Sequence, residues 1–146
     1  MAEAREVDAE TMDDIVHYEQ KGLEFLGIGA DMPPAEIVRV ITERVRELKA
    51  ENRSLDKDDT LALGCLLGRQ YIRGFGWHWA EVVWDFNEED SAIGVLPQDN
   101  SLFINPMWWM SDTLETRTST NFMLNYNMVA ANNIPAAQPD EAVGFH

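Results

Sequence analysis

Cysteine is almost absent from this sequence, since Cys65 is the only one. A single cysteine cannot form a disulfide within the chain, and nothing around it has the spacing of a zinc site. Cys65 lies in the apolar run LALGCLLG, which is typical of a small buried side chain rather than of a thiol activated at a helix start. Cysteine usage therefore favours a reducing, cytoplasmic compartment.

Long apolar runs are also missing. No segment approaches the length of about 20 residues that a membrane-spanning helix needs. The first ten residues, MAEAREVDAE, are polar and acidic and lack the apolar core of a signal peptide. We therefore expect a cytoplasmic protein without a membrane span.

Positive charge is scarce: 11 Lys and Arg stand against 26 Asp and Glu, a formal net charge of −15. Nucleic-acid backbones and anionic membranes both require clustered cations, so direct binding to either is disfavoured. A basic partner is favoured instead, because a negative field raises the rate of its encounter. The alternative is that the acidity serves only solubility.

Recognisable catalytic and metal-binding patterns are lacking as well. His17, His78 and His146 lie far apart in the sequence, and no local spacing suggests a metal site. The glycine pairs at 27–29 and 74–76 have no Lys-Ser/Thr after them, so they are interpreted as helix ends rather than phosphate-binding loops. We expect no cofactor and no enzymatic activity, although abundant carboxylates leave an acid/base pair open.

What the sequence does contain is enough apolar residues for a packed core in one domain. Residues 1–10 are predicted to be a charged, frayed lead-in. Three helices follow: one that Thr11 opens with Asp14 as a capping box, one that begins at Pro33-Pro34, and a central one with its body over Leu61–Arg73. Gly64 and Gly68 share a face of this central helix, so another element should pack against its bare backbone.

From Trp77 onward the pattern changes to aromatic and β-branched residues. Strands are predicted at 77–86, 92–96 and 101–104, then helices at about 107–115 and 119–131 and an extended tail from 132. The sequence therefore predicts a single α+β domain over 1–146. It has N-terminal helices, a three-stranded antiparallel meander and C-terminal helices, with 1–10 and 132–146 extended or peripheral.

An acidic segment spans the end of the first predicted strand and the turn after it. It contains five carboxylates and no Lys or Arg: Glu81, Asp85, Glu88, Glu89 and Asp90. Like charges this close repel one another, so they are either a solvated hairpin tip or a docking surface for Arg and Lys of a partner.

Five tryptophans are the second notable feature, at 77, 79, 84, 108 and 109. The adjacent Trp108 and Trp109 cannot easily both face inward from one short element. Either both wrap around the edge of a small core, or one is exposed as an interface anchor, a role in which Trp is enriched.

The middle of the chain, about 61–115, resembles a family of small bacterial domains of unknown function. That family has an LG-x3-G helix, a Trp-centred strand and a later proline-bounded strand, matched here by Leu63-Gly64, Leu67-Gly68, Trp77, Trp79, Val82, Asp85, Ala92, Pro97 and Pro106. Domains of this sort resemble bacterial immunity proteins, which implies a small, acidic, cytoplasmic, non-enzymatic protein that plugs a toxin's active site. The resemblance assigns no functional residue.

The leading hypothesis is accordingly an immunity or inhibitor protein that binds a basic antibacterial toxin through Glu81, Asp85, Glu88, Glu89 and Asp90, with Trp108 or Trp109 as anchor. An adaptor or regulatory homodimer, formed through an edge strand or the Gly64/Gly68 face, is one alternative. The other is an enzyme or small-ligand carrier with a pocket between the central helix and the aromatic strand, in which His78 would meet carboxylates of raised pKa.

Overall fold

The structure, a computed structural model, describes residues 2–146. Its elements, in chain order, are β1 (Ala2–Arg5), α1 (Ala9–Leu26), α2 (Pro34–Ala50), α3 (Lys57–Phe75), β2 (His78–Trp84), β3 (Ser91–Leu96), β4 (Leu102–Phe103), α4 (Pro106–Glu115), α5 (Phe122–Ala130) and β5 (Val143–Gly144). The predicted α+β class is confirmed: helices precede and follow an antiparallel sheet of three strands.

The first helix begins earlier than predicted. Asp8, not Thr11, is the N-cap, and its carboxylate accepts a hydrogen bond of 2.8 Å from the Thr11 backbone N–H. A carboxylate in this position satisfies a backbone donor that the helix itself leaves unpaired. The helix ends at Gly27, whose φ of 69° is left-handed, a conformation that glycine adopts without steric cost.

The central helix α3 is buried on nearly all sides, and its glycines explain how its neighbours approach so closely. A Cβ added at Gly64 would lie 2.7 Å from the Met107 Cα, and one added at Gly68 would lie 2.5 Å from the Trp79 ring. The predicted packing against bare backbone is therefore confirmed. Because α4 and Trp79 cover this face within the chain, Gly64 and Gly68 are buried and not exposed to a second copy.

The sheet has the order β1-β2-β3 and differs in membership from the predicted meander. The lead-in expected to be frayed is instead an edge strand, with Ala2 opposite Trp84 and Arg5 opposite Glu81. Its Ala-Glu-Ala-Arg sequence has little strand propensity of its own, so the unpaired backbone edge of β2 determines its conformation.

Most of the predicted third strand does not join the antiparallel meander. Only Ile104 still pairs with the preceding strand, through an antiparallel bridge to Val95. Leu102 and Phe103 form β4, which pairs in parallel with β5 at Val143 and Gly144. A prediction from local pattern alone could not supply this partner, because β5 lies about 40 residues further along the chain.

The sheet packs on both faces, as the two-residue period of strands requires. Trp79 and Val95 belong to the main core with the helices, whereas Val82 and Leu96 belong to a second core that includes Phe103. The tail after α5 closes this second core as the expected extended segment. It is held by the Phe145 N–H, which donates to the Phe103 carbonyl over 3.0 Å.

Candidate functional site

The β2–β3 hairpin ends in a tight turn that begins sooner than predicted. The strand expected over 77–86 stops at Trp84, and the Asn87 N–H donates to the Trp84 carbonyl over 3.0 Å. The two central residues have positive φ, 51° at Asp85 and 58° at Phe86. Positive φ at both positions defines the type I′ turn, whose twist matches that of a hairpin and whose usual sequence is Asn-Gly.

Phe86 is an unusual residue for this turn. A left-handed backbone costs a residue with a Cβ about 1–2 kcal/mol, and a bulky aromatic side chain is rarely found there. The ring also gains little from the core, because 76% of Phe86 is exposed. A strained backbone that presents an exposed aromatic ring to solvent points to a functional role for the tip.

A second turn follows at once and fixes the remaining tip residues. The Asp90 N–H donates to the Asn87 carbonyl over 2.9 Å, and the Glu89 N–H donates to the Asn87 Oδ1 over 3.1 Å. The Trp84 N–H donates to the Asp90 carbonyl over 3.0 Å and closes the loop. These three hydrogen bonds, two between backbone groups and one to the Asn87 side chain, constrain the backbone of the tip.

The predicted acidic residues separate into two groups. Asp85, Glu88, Glu89 and Asp90 are all exposed at the tip. Glu81 instead lies within β2, half-buried and opposite Arg5 on one side and Ile93 on the other. Because successive strand residues face opposite sides of the sheet, Glu81 shares the helix-facing side with Trp79 rather than joining the tip.

Glu88 has a cationic partner that the local sequence does not reveal. Arg5 of the edge strand donates to both of its carboxylate oxygens, over 2.9 and 3.0 Å. The same guanidinium also pairs with Glu3 at 3.1 Å. These hydrogen bonds and the charge of Arg5 hold the pKa of Glu88 below its usual value. Part of the acidic segment is thus neutralised within the chain.

Glu89 and Asp90 are different. Within residues 2–146, no hydrogen bond or ion pair reaches either carboxylate. They follow the exposed Phe86 in the same loop, with Glu88 held beside them by Arg5. We call Asp85, Phe86, Glu88, Glu89 and Asp90 the acidic tip. It combines an exposed aromatic ring with negative charge, two features suited to contact with a cationic protein surface.

The adjacent tryptophans of α4 have separate environments. Trp108 is 55% exposed, whereas Trp109 is 5% exposed and packs edge-on against Phe122 with the ring centroids 4.8 Å apart. Consecutive helix residues point about 100° apart, so one can be buried while the next faces solvent. Trp109 is therefore a core residue, and its interpretation as a candidate anchor is withdrawn because its ring is buried. Trp108 remains available, with the His146 ring 5.4 Å away.

The alternative hypothesis of an enzyme or ligand carrier places a pocket beside the aromatic strand. A cleft is present there, but the carboxylate of raised pKa expected beside His78 is not found at Asp8. His78 lines a cleft of about 660 Å³ with Trp77, Trp79 and Asp8. Its Nε2 pairs with the Asn100 Oδ1 at 2.7 Å. The pKa of Asp8 is lowered by the hydrogen bonds from Thr11, not raised. The Asp8 carboxylate therefore remains charged at neutral pH and is not the raised-pKa partner expected for His78.

Residues 2–146 offer neither a metal site nor a membrane-spanning helix. No group of three or more His, Cys, Asp and Glu side chains there is arranged so that it can hold a metal ion. None of the helices they form combines the length and apolar character needed to cross a membrane.

Comparison with known proteins yields no assignment. No family model matches the chain, and neither a curated protein nor a solved structure does. The resemblance to small immunity-type domains therefore stays an expectation from the sequence, and the functional hypothesis depends on the geometry of the acidic tip.

Proposed function

We propose that this protein is an inhibitor of the immunity type, which binds a basic toxin and blocks its cationic active site with the acidic tip. The observation that carries the proposal is the exposure of Phe86 on a strained turn between carboxylates. An aromatic side chain that enters a pocket, surrounded by contacts that exclude water, is a common composition of an interface hot spot.

Electrostatics support the choice of partner. With a net charge of −15, the chain attracts basic proteins over long range and repels acidic ones. A toxin that acts on nucleic acid or a nucleotide has an active site rich in Arg and Lys, because its substrate carries phosphates. Glu89 and Asp90 have carboxylates available for such side chains.

Preorganisation supports the choice of surface. Arg5 fixes the Glu88 carboxylate with two hydrogen bonds, and the turn fixes the backbone around Asn87. A surface that is already ordered loses less conformational entropy on binding. Trp108 is a second candidate anchor, since it is exposed but lies on a different element.

A protection assay tests the proposal. The chain is co-expressed with the product of the reading frame beside its own gene, and cell growth is measured. Wild type should restore growth, while the variant Phe86→Ser, Glu89→Lys, Asp90→Lys should not, because it removes the anchor and reverses two charges. The matched control is Asp13→Lys, Asp14→Lys, which makes the same charge change at two exposed positions of α1 and should still protect.

Binding kinetics separate the two contributions of the tip. The association rate with the purified toxin should fall steeply between low and high salt, because screening shortens the range of attraction. Trp108→Ala should leave binding unchanged if the tip alone docks. Full protection by the tip variant, or an association rate that is independent of salt, would refute the proposal.

A further inference from the structure

A cavity of about 250 Å³ lies between α1, α3 and the start of α2, away from the acidic tip. Its walls are mainly apolar and include Val16, Leu23, Ile37 and Leu66. Three of these side chains belong to the core, but Val16 is 52% exposed at the rim. The cavity is smaller than the 300 Å³ or more typical of drug-sized ligands, so it suits a small molecule.

An ion pair in this cavity uses only part of its hydrogen-bonding capacity. The Arg69 Nε donates to the Glu19 Oε1 over 2.9 Å, and the two side chains are only 29% and 12% exposed. No other hydrogen bond within residues 2–146 involves the Arg69 Nη atoms or the Glu19 Oε2. A guanidinium can donate five hydrogen bonds and a carboxylate can accept about four, so both groups retain unused sites.

The next cation of α3 does not complete this pair. The Arg73 Nη1 donates to the Gln70 Oε1 over 2.6 Å, and its Nη2 donates to the Met32 carbonyl over 2.9 Å. Arg73 therefore adds positive charge to the cavity lining without bonding to Glu19. In a protein of net charge −15, two guanidiniums beside one carboxylate make this cavity locally favourable for an anionic group.

Glu19 is partly buried beside Arg69. Desolvation raises the pKa of this carboxyl above its usual value, even though the charge and hydrogen bond of Arg69 act in the opposite direction. An ammonium group placed beside the unused Oε2 would supply the missing compensation, because an opposite charge favours the ionised carboxylate.

We infer that this cavity binds a free aliphatic amino acid, of the size of valine, leucine or isoleucine. The ligand's carboxylate would meet the Nη atoms of Arg69 and its ammonium group the Oε2 of Glu19. Its hydrocarbon side chain would lie against Val16, Leu23 and Ile37. The pairing accounts for the donors, the acceptor and the apolar wall of the cavity with one molecule.

Isothermal titration calorimetry with L-leucine tests the inference on the intact chain. Leucine should bind with a Kd of about 1 mM or below, well within the limit for a ligand with so few atoms. Two analogues each lack one charged group: 4-methylpentanoate has no ammonium and 3-methylbutylamine has no carboxylate. Each should bind at least about tenfold more weakly, since each loses a charge-assisted hydrogen bond.

Two variants assign the site. Glu19→Gln should weaken leucine binding about tenfold or more, and Arg69→Lys, which keeps the charge but loses the planar fork, should also weaken it. Glu43→Gln removes one exposed carboxylate from α2 and should leave the affinity unchanged. Circular dichroism checks that each variant is folded.

Three outcomes would overturn the inference: no heat with leucine at millimolar concentration, equal binding of 4-methylpentanoate, or unchanged binding by both site variants. In any of these cases Glu19 and Arg69 only join α1 to α3. The acidic tip takes no part in this experiment, so the result is independent of the proposed function.

Discussion

The strained turn at Phe86 predicts that glycine at this position gives a more stable fold than alanine, which is the reverse of the usual order. Replacing Phe86 by Ala and by Gly removes the same ring, but only Gly relieves the left-handed backbone, φ 58°. The relief is about 1–2 kcal/mol, and the greater chain entropy of unfolded Gly offsets about 0.5–1 kcal/mol of it. Phe86→Gly should therefore be more stable than Phe86→Ala by about 0.5–1 kcal/mol.

Urea unfolding followed by circular dichroism measures this difference, which corresponds to about 2 °C in Tm for a chain of this size. The matched control is the same pair of substitutions at Glu89, which is exposed and does not have a positive φ. There the sign should reverse, with Ala at least as stable as Gly. If Gly and Ala were equally stable at position 86, or Ala were better, the strain assigned to the tip would be wrong.

The same pair of variants links stability to function. Both lack the aromatic ring, so if the proposed function is correct both should bind the basic partner more weakly than wild type by a similar factor, although they differ in stability. A residue that costs stability and yet supports binding is the pattern expected of a functional site. Equal affinity of wild type and both variants would show that the Phe86 ring is not an anchor.

Three further predictions concern the core. Gly64→Ala should destabilise the fold by about 2 kcal/mol in urea unfolding, because its Cβ would lie 2.7 Å from the Met107 Cα; unchanged stability would contradict the close packing. Burial raises the pKa of Cys65 to about 12, and only the thiolate reacts with an alkylating reagent. At pH 8 the folded chain should therefore be alkylated about a thousandfold more slowly than the chain unfolded in urea. Rapid labelling of the folded chain would disprove this. Asn125→Ala removes the acceptor of a 2.6 Å hydrogen bond from the Tyr71 hydroxyl, and with it the Nδ2 group that donates to the Phe145 carbonyl of the tail over 3.1 Å. It should cost about 1–3 kcal/mol, with faster amide exchange in the tail; unchanged exchange would mean that Asn125 does not hold the tail.

The helices could be predicted because their signals are local. Proline at the start of α2 and left-handed glycines after α1 and α3 define ends within a few residues. The close approach at Gly64 and Gly68 was also predictable, since a glycine inside a helix costs stability and must have a reason. Gly64 and Gly68 do not by themselves indicate which elements pack against them, and these elements, α4 and Trp79, are known only from the structure.

The sheet could be predicted only in part, because strand partners are distant in sequence. His78–Trp84 has aromatic and β-branched residues and was evident. Ala2–Arg5 has neither, and its alternation of Ala with charged residues was the one signal available. Val143 is β-branched but is followed by Gly144, and this short strand exists because residues 102–103 offer it backbone partners.

The acidic tip shows why a count of charges along the sequence misjudges a site. Of the five carboxylates predicted from the sequence, Glu81 lies in the strand outside the tip and Glu88 is neutralised by Arg5, 83 residues away. The charge free for docking is therefore concentrated at Glu89 and Asp90. Reversing Glu88 would break the link to the edge strand as well as change the surface, and its effect on binding would be ambiguous. Reversal of Glu89 and Asp90 changes the surface while Arg5 keeps its partner, so these two positions give the cleaner test of docking.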